Sequence, residues 1–265
     1  MSWTLLLKTL RDRWRSSLAW AVGITALSSV QLYIYPSIQD SASAMDQFLK
    51  AFPKEFIAMF RIEDYTSGAG FLGTELFSMM IPIVFISVGA SWGAAIAAEE
   101  EHGTSEVLYA LPLSRTRIIV SKTLAAWLVQ LWLVAVVLLV ISFGASLVDL
   151  DLSEAHLIPV TLSCLGLGLF FNAFAFCVGA FTGKRGAGLG LAIALALISF
   201  LVFSLAPMVD TFDAIVKFMP FQWALGENPL LKGFDWVGLG WLGLGAGICY
   251  LLGLVAVNRR DLDAR

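Results

Sequence analysis

Six apolar runs, at roughly residues 16–36, 76–97, 117–148, 156–181, 187–207 and 235–257, decide what this chain can become. Each reaches the length of about 20 residues at which a helix, rising about 1.5 Å per residue, crosses roughly 30 Å of hydrocarbon. Together they occupy over half of the 265 residues and leave no stretch long enough for a soluble catalytic domain. Only 14% of the residues are charged, where a soluble domain carries about a quarter. Hydrocarbon offers the backbone no hydrogen-bond partner, so runs of this kind close their own hydrogen bonds as helices. The expected fold is an all-α polytopic membrane protein with six transmembrane helices, forming one domain over residues 1–265.

The charges are segregated. With the N-terminus placed in the cytoplasm, the inside segments hold Lys8, Arg11, Arg13, Arg15, Arg115, Arg117, Lys122, Lys184, Arg185, Arg259, Arg260 and Arg265. The outside segments hold only Lys50, Lys54, Arg61, Lys217 and Lys232. Basic residues favour the cytoplasmic side, so both termini are expected there, in the inner (plasma) membrane. The first apolar run is about twice a signal-peptide core and leads into Tyr33 and Tyr35 at interface depth, so it is read as a span rather than a cleaved leader.

Residues 3–15 place Trp3, Leu6, Leu7, Leu10 and Trp14 on one helical face and Lys8, Arg11, Asp12 and Arg15 on the other. That pattern predicts an interfacial helix. In the external segment 37–75, Phe48, Phe52, Phe56 and Phe60 recur every four residues, with Pro53 as a break. This stripe either caps the bundle or gates the outer end of a path. A second segment, 208–234, repeats the character with Phe212, Phe218, Phe221 and Trp223 between prolines. Gly186 with Gly190, and Gly243 with Gly247, form Gly-x-x-x-Gly pairs suited to close helix approach, either inside the bundle or at a dimer seam. Cys164, Cys177 and Cys249 fall inside spans and read as packing residues.

Several chemistries are excluded. The nearest approach to a nucleotide-binding loop, Gly179-Ala180-Phe181-Thr182-Gly183-Lys184-Arg185, is one residue short and ends in Arg. His102 and His156 are the only histidines and fall on opposite expected sides, which leaves no zinc-protease motif. Charge deep within spans is almost missing, which argues against a proton relay or ion pump. The polar groups that remain include Gln130, Ser163, Asn172 and Ser204, with Glu75 at the external start of the second span. Glu75, Gln130 and Asn172 are the candidates for a substrate path.

Residues 99–122 form a polar island between the second and third spans. Glu99–Glu101 lead to Gly103, a helix terminator, and Thr104 or Ser105 can cap a new helix with Glu106 in its first turn. Val107, Leu108 and Leu111 give that short helix an apolar edge. Pro112 stops it, and Ser114 can cap the third span. Arg115, Arg117 and Lys122 anchor the far end at an anionic surface. An apolar edge between a break and caps is not needed in an ordinary solvated loop; it forms a handle.

The pattern Glu101-x-Gly103-Thr104-x-Glu106-x-Leu108-x-x-Leu111-Pro112-x-Ser114-Arg115, followed by Lys122, resembles the ABC-2 type permease family. The likeness extends to the basic N-terminal helix, the long first external segment and the basic tail. It implies a permease subunit of an ATP-binding cassette exporter, with 99–116 as the cytoplasmic coupling segment, 103–112 as its helix and 3–15 as the elbow. It further implies two separate ATPase subunits, which bind the ATP and Mg, and a second permease copy, as a homodimer. The chain itself is then no enzyme, holds no cofactor or metal, contacts lipid and binds no nucleic acid. The rival readings are a membrane-embedded lipid-modifying enzyme and a non-transporting assembly or sensor protein of the same fold.

Overall fold

A computed structural model of the chain describes residues 3–49, 51–53, 56–57, 62, 65–101 and 114–259. Helices α1 (Trp3–Asp12), α2 (Trp14–Asp40) and α3 (Ala42–Leu49) are followed by α4 (Gly68–Leu72), α5 (Met80–Glu101), α6 (Arg115–Leu147) and α7 (Leu157–Thr182). The remainder is α8 (Arg185–Leu205), three short helices, α9 (Asp213–Val216), α10 (Pro220–Leu225) and α11 (Pro229–Lys232), and α12 (Trp236–Arg259). No strand occurs among the described residues. Six helical stretches are long and apolar enough to cross a membrane, the second being the composite Gly68–Ile96.

That composite begins earlier than the sequence suggested. Ser67 caps α4 by accepting from the Gly70 N–H at 3.0 Å, and a π turn over Gly73–Phe77 leads towards α5. Gly68, Gly70, Gly73 and Thr74 look like loop residues, yet Ala69, Phe71 and Leu72 are buried, and tertiary packing holds the helix. The first span also outruns its expected end: α2 continues through Pro36 to Asp40, with Tyr35 buried and its ring 5.1 Å from Phe71. At the N-terminus a one-residue break at Arg13 separates α1 from α2, so α1 is no mere extension of the span. Its apolar stripe is divided: Leu6 is buried, while Trp3, Leu7 and Trp14 are exposed.

Helix α7 is the hub, packing on α5, α12, α8 and α6. It is 72% buried over its most apolar window, against 17% for α8. In hydrocarbon the apolar side chains gain little from burial, so close backbone packing has to hold such helices together. Glycines at the α5–α7 contact provide it. A Cβ on Gly89 would collide with the Gly168 carbonyl, and one on Gly93 with the Asn172 carbonyl. The Gly-x-x-x-Gly pairs singled out from the sequence are not these: Gly186, Gly190, Gly243 and Gly247 have no described atom within 4 Å of a built Cβ. Their spacing is right, but they sit on outward faces of α8 and α12. Gly183, left-handed at φ 68°, ends α7 with its N–H donating to Gly179 O at 2.7 Å, and Arg185 already begins α8.

At the end opposite the basic termini, α10 and α11 fold over the hub, and α9 packs on α8. Phe221 is buried, and its N–H donates to Ser199 Oγ at 3.0 Å. The His156 N–H donates to Leu230 O at 2.7 Å, tying this cap to the start of α7.

Candidate functional site

The handle predicted between the second and third spans falls on 102–113, so Gly103, Thr104, Glu106, Leu108, Leu111 and Pro112 lie outside the described residues. Its two anchors are in place. Helix α5 runs to Glu101, and α6 opens at Arg115 behind Ser114, whose Oγ accepts from the Arg117 N–H at 3.4 Å. The extended backbone at Ser114 (φ −66°, ψ 145°) suits a cap, as its position before the third span suggested. Whatever acts on 102–113 therefore acts on the ends of α5 and α6 together.

At the opposite end of the bundle, the π turn presents Glu75. One carboxylate oxygen accepts from the Tyr65 hydroxyl at 2.6 Å and the other from Gln31 Nε2 of α2 at 3.2 Å. Burial first, and then the hydrogen bond and charge of Glu75, push the Tyr65 phenol well above its usual range, so Tyr65 stays a neutral donor. Glu75 opens onto a cavity of about 560 Å3 walled by Phe48, Leu49, Met79, Met80, Phe200, Leu201 and Phe203, with Ser204 at its edge. Phe48 and Phe52 lie 5.0 Å apart and Phe52 and Phe56 4.9 Å, so the first three rings of the expected aromatic stripe do lie in a row, Phe60 lying outside the described residues, and the first ring lines this space. A neighbouring cavity of about 400 Å3 lies beneath α10 and α11, lined in part by Phe77, Gln222 and Asn228.

Asn172 and Gln130 are placed elsewhere, in the interior between α5, α6 and α7. Asn172 Nδ2 donates to Gly89 O at 2.9 Å, and its Oδ1 accepts from the Tyr250 hydroxyl. Trp127 Nε1 donates to that same hydroxyl oxygen at 3.3 Å. One polar chain thus ties α6, α12, α7 and α5 together. Gln130, one turn beyond Trp127, is fully buried against Gly168, and neither of its amide atoms has a hydrogen-bond partner among the described residues. Neither residue lines the two cavities at the Glu75 end.

Sequence reasoning named Glu75 and Asn172 but not their hydrogen-bond partners, Tyr65 and Gln31 for Glu75 and Tyr250 for Asn172, with Trp127 behind Tyr250. Gln31 was open to notice as a polar residue deep in an apolar run. Tyr65, in an irregular segment, gave no signal. Among the described residues no group of three or more His, Cys, Asp or Glu is placed to hold a metal ion.

A family model described as "ABC-2 family transporter protein" matches residues 3–262. No curated protein matches the chain.

Proposed function

The chain belongs to the ABC-2 transporter family, as a membrane-spanning permease of an ABC-type transporter, and on that premise we propose how it works. It is the permease subunit of an exporter, paired with a second copy of itself and driven by two separate ATPase chains that bind ATP and Mg. Residues 99–116 form the coupling segment: the apolar edge of Leu108 and Leu111 seats in the ATPase, and Glu101, Gly103, Thr104, Glu106, Pro112, Ser114 and Arg115 shape and anchor it. The basic termini and this segment face the cytoplasm.

The observation that carries this reading is the connectivity of α5 and α6. Helix α5 is packed glycine-to-backbone against the hub, and a single short segment joins it to α6. Force applied there reaches the centre of the bundle. The cargo path runs to the Glu75 cavity, with the Phe48 stripe as its outer gate. Apolar walls with one carboxylate suit an amphiphilic cargo. Gln130 and Asn172 lie between this cavity and the basic end.

The test is replacement of Leu108 and Leu111 by Asp in the full chain, coexpressed with an ABC ATPase that copurifies with the unaltered chain. Loss of ATPase copurification, with the permease still folded and inserted, is the expected result. An ATPase that copurifies undiminished and still responds to substrate refutes the coupling role.

A further inference from the structure

The cavity beneath α10 and α11 adjoins the Glu75 cavity, and one π turn fronts both. Gly73 and Phe77 line the space of about 400 Å3, Thr74 and Glu75 line the space of about 560 Å3, and Ser78 and Phe203 line the two together. Single π turns inside helices are frequent at functional sites. The two spaces differ in chemistry. The Glu75 cavity is walled chiefly by Phe, Leu and Met side chains, whereas its neighbour adds Gln222, Asn228 and Lys232 to its apolar lining. Lys232 is paired with Glu227 at 3.1 Å on the exposed rim, so that charge is balanced. Gln222 and Asn228 are half-buried, and neither side-chain amide makes a hydrogen bond among the described residues. A Cβ on Gly226 would strike the Gln222 carbonyl and its side-chain amide, so glycine there, at a φ of −54° that any residue adopts, leaves the amide its place. Two amides, each able to donate and to accept, thus front a space of the size and mixed lining that small-molecule sites have.

We infer that this space is a head-group chamber. It takes the uncharged, hydroxyl- or amide-bearing head of an amphiphile whose apolar part lies in the Glu75 cavity. Gln222 and Asn228 read the head, and Ser78 and Phe203 stand between its two parts. The inference rests on the reading of the Glu75 cavity as the cargo path and adds to it the class of head. Charge on the cargo is left to Glu75, and hydrogen bonding to the two amides. A head without donors would leave the amides dehydrated and unpaired, and that penalty is the source of selectivity.

The experiment uses the full chain in phosphatidylcholine nanodiscs and measures equilibrium binding, above that of empty discs, of radiolabelled monolauroylglycerol, methyl laurate and dodecyltrimethylammonium. Wild type is expected to bind the glyceride about 25-fold more tightly than the methyl ester, at about fivefold for each amide engaged. Gln222→Met with Asn228→Gly, the second chosen to suit the left-handed φ of 52° at Asn228, should abolish that preference by weakening the glyceride alone. Should the double variant fail to fold, either single variant should still weaken the glyceride about fivefold. Glu75→Gln should weaken dodecyltrimethylammonium and leave the ratio of glyceride to ester unchanged, which separates the two readings. Equal affinity of wild type for glyceride and ester, or loss of both together in the amide variants, overturns the head-group chamber even where Glu75→Gln still weakens the cation. Binding of the cation unmoved by Glu75→Gln, with the glyceride preference intact, counts against the cargo path alone. Wild type that binds none of the probes overturns both.

Discussion

Replacing Gly89 by Ala tests the packing on which the bundle rests. A Cβ at this position would sit 2.9 Å from the Gly168 carbonyl carbon and 3.3 Å from the Asn172 nitrogen, and closer still to the Gly168 oxygen. Every one of these obstacles is backbone, so no rotamer change relieves them. An ordinary Cβ contact begins near 3.4 Å, and α5 and α7 must therefore part by half an ångström or more at this level. Overpacking of this kind costs about 1–3 kcal/mol. The separation also strains the 2.9 Å hydrogen bond from Asn172 to the Gly89 carbonyl, and interhelical bonds in membranes contribute about 0.6 kcal/mol, rising to about 1.7. The expected destabilisation of Gly89→Ala is then about 2–4 kcal/mol. Gly23→Ala is the control: no described atom lies within 4 Å of its Cβ, and Ala in a helix interior is favoured over Gly by roughly 0.5–1 kcal/mol. Reversible unfolding in mixed micelles, followed by tryptophan fluorescence, measures both. Gly89→Ala within about 0.5 kcal/mol of wild type, a difference too small for overpacking, would refute the reasoning. So would a Gly23→Ala variant as damaged as Gly89→Ala.

Two further outcomes follow from the polar residues. Gln130→Leu removes two buried amide atoms that lack partners among the described residues, so the same unfolding assay should show a gain of about 1–3 kcal/mol; a loss of stability would mean that the amide is satisfied in the membrane. Glu75→Gln removes the charge that helps raise the Tyr65 phenol and leaves burial and an amide oxygen able to accept from it, so near-ultraviolet titration should find Tyr65 ionising at lower pH than in wild type, though still above 10.0. The sign is that of a raised acid: the contribution of the Tyr65–Glu75 contact is whole below the ordinary phenol value and is lost as pH rises through the folded one. On the proposed function the same variant also lowers transport of a cationic amphiphile more than of a neutral one; an unchanged ratio would remove Glu75 from the path.

The architecture was legible because hydrocarbon imposes a single local rule. Any run of the required length becomes a helix, whatever its neighbours, and all six runs did. Boundaries were less legible where glycine and tertiary contact compete, as at Gly68–Phe77, where Ser67 capping and the burial of Phe71 and Leu72 outweigh poor helix propensity. Of the two readings of Gly186 with Gly190 and Gly243 with Gly247, packing inside the bundle does not hold within this chain, for a related reason, and the dimer seam stays a proposal. Gly-x-x-x-Gly reports that a helix face is smooth, not that another helix lies on it. Gly89 and Gly93 have the same spacing as Gly243 and Gly247, and only the first pair meets a backbone. Asn172 and Gln130 illustrate the limit for polar residues. Sequence marks both as buried and uncharged, but whether an amide lines a path or ties helices depends on where Tyr250 and Gly89 stand, which periodicity does not encode.

The packing divides the spans into two groups, and that division bears on how force would travel. Helices α5, α8 and α12 all pack on α7, while α1 and α2 pack chiefly on α6. In sequence, the segment 102–113 joins α5 of one group to α6 of the other. At the end opposite the basic termini, Gln31 of α2 reaches across the seam between the groups to Glu75, just before α5, at 3.2 Å. Close glycine packing makes sliding of α5 along α7 costly, so a displacement applied at 102–113 finds its softer response between the groups, where side chains rather than backbones meet. Opening that seam would stretch the Gln31–Glu75 contact and widen the cavity that Phe48 borders. On the proposed coupling role, a push at 102–113 and the Glu75 carboxylate at the opposite end would belong to one motion, and Gly89→Ala and Glu75→Gln probe its rigid and its yielding half separately.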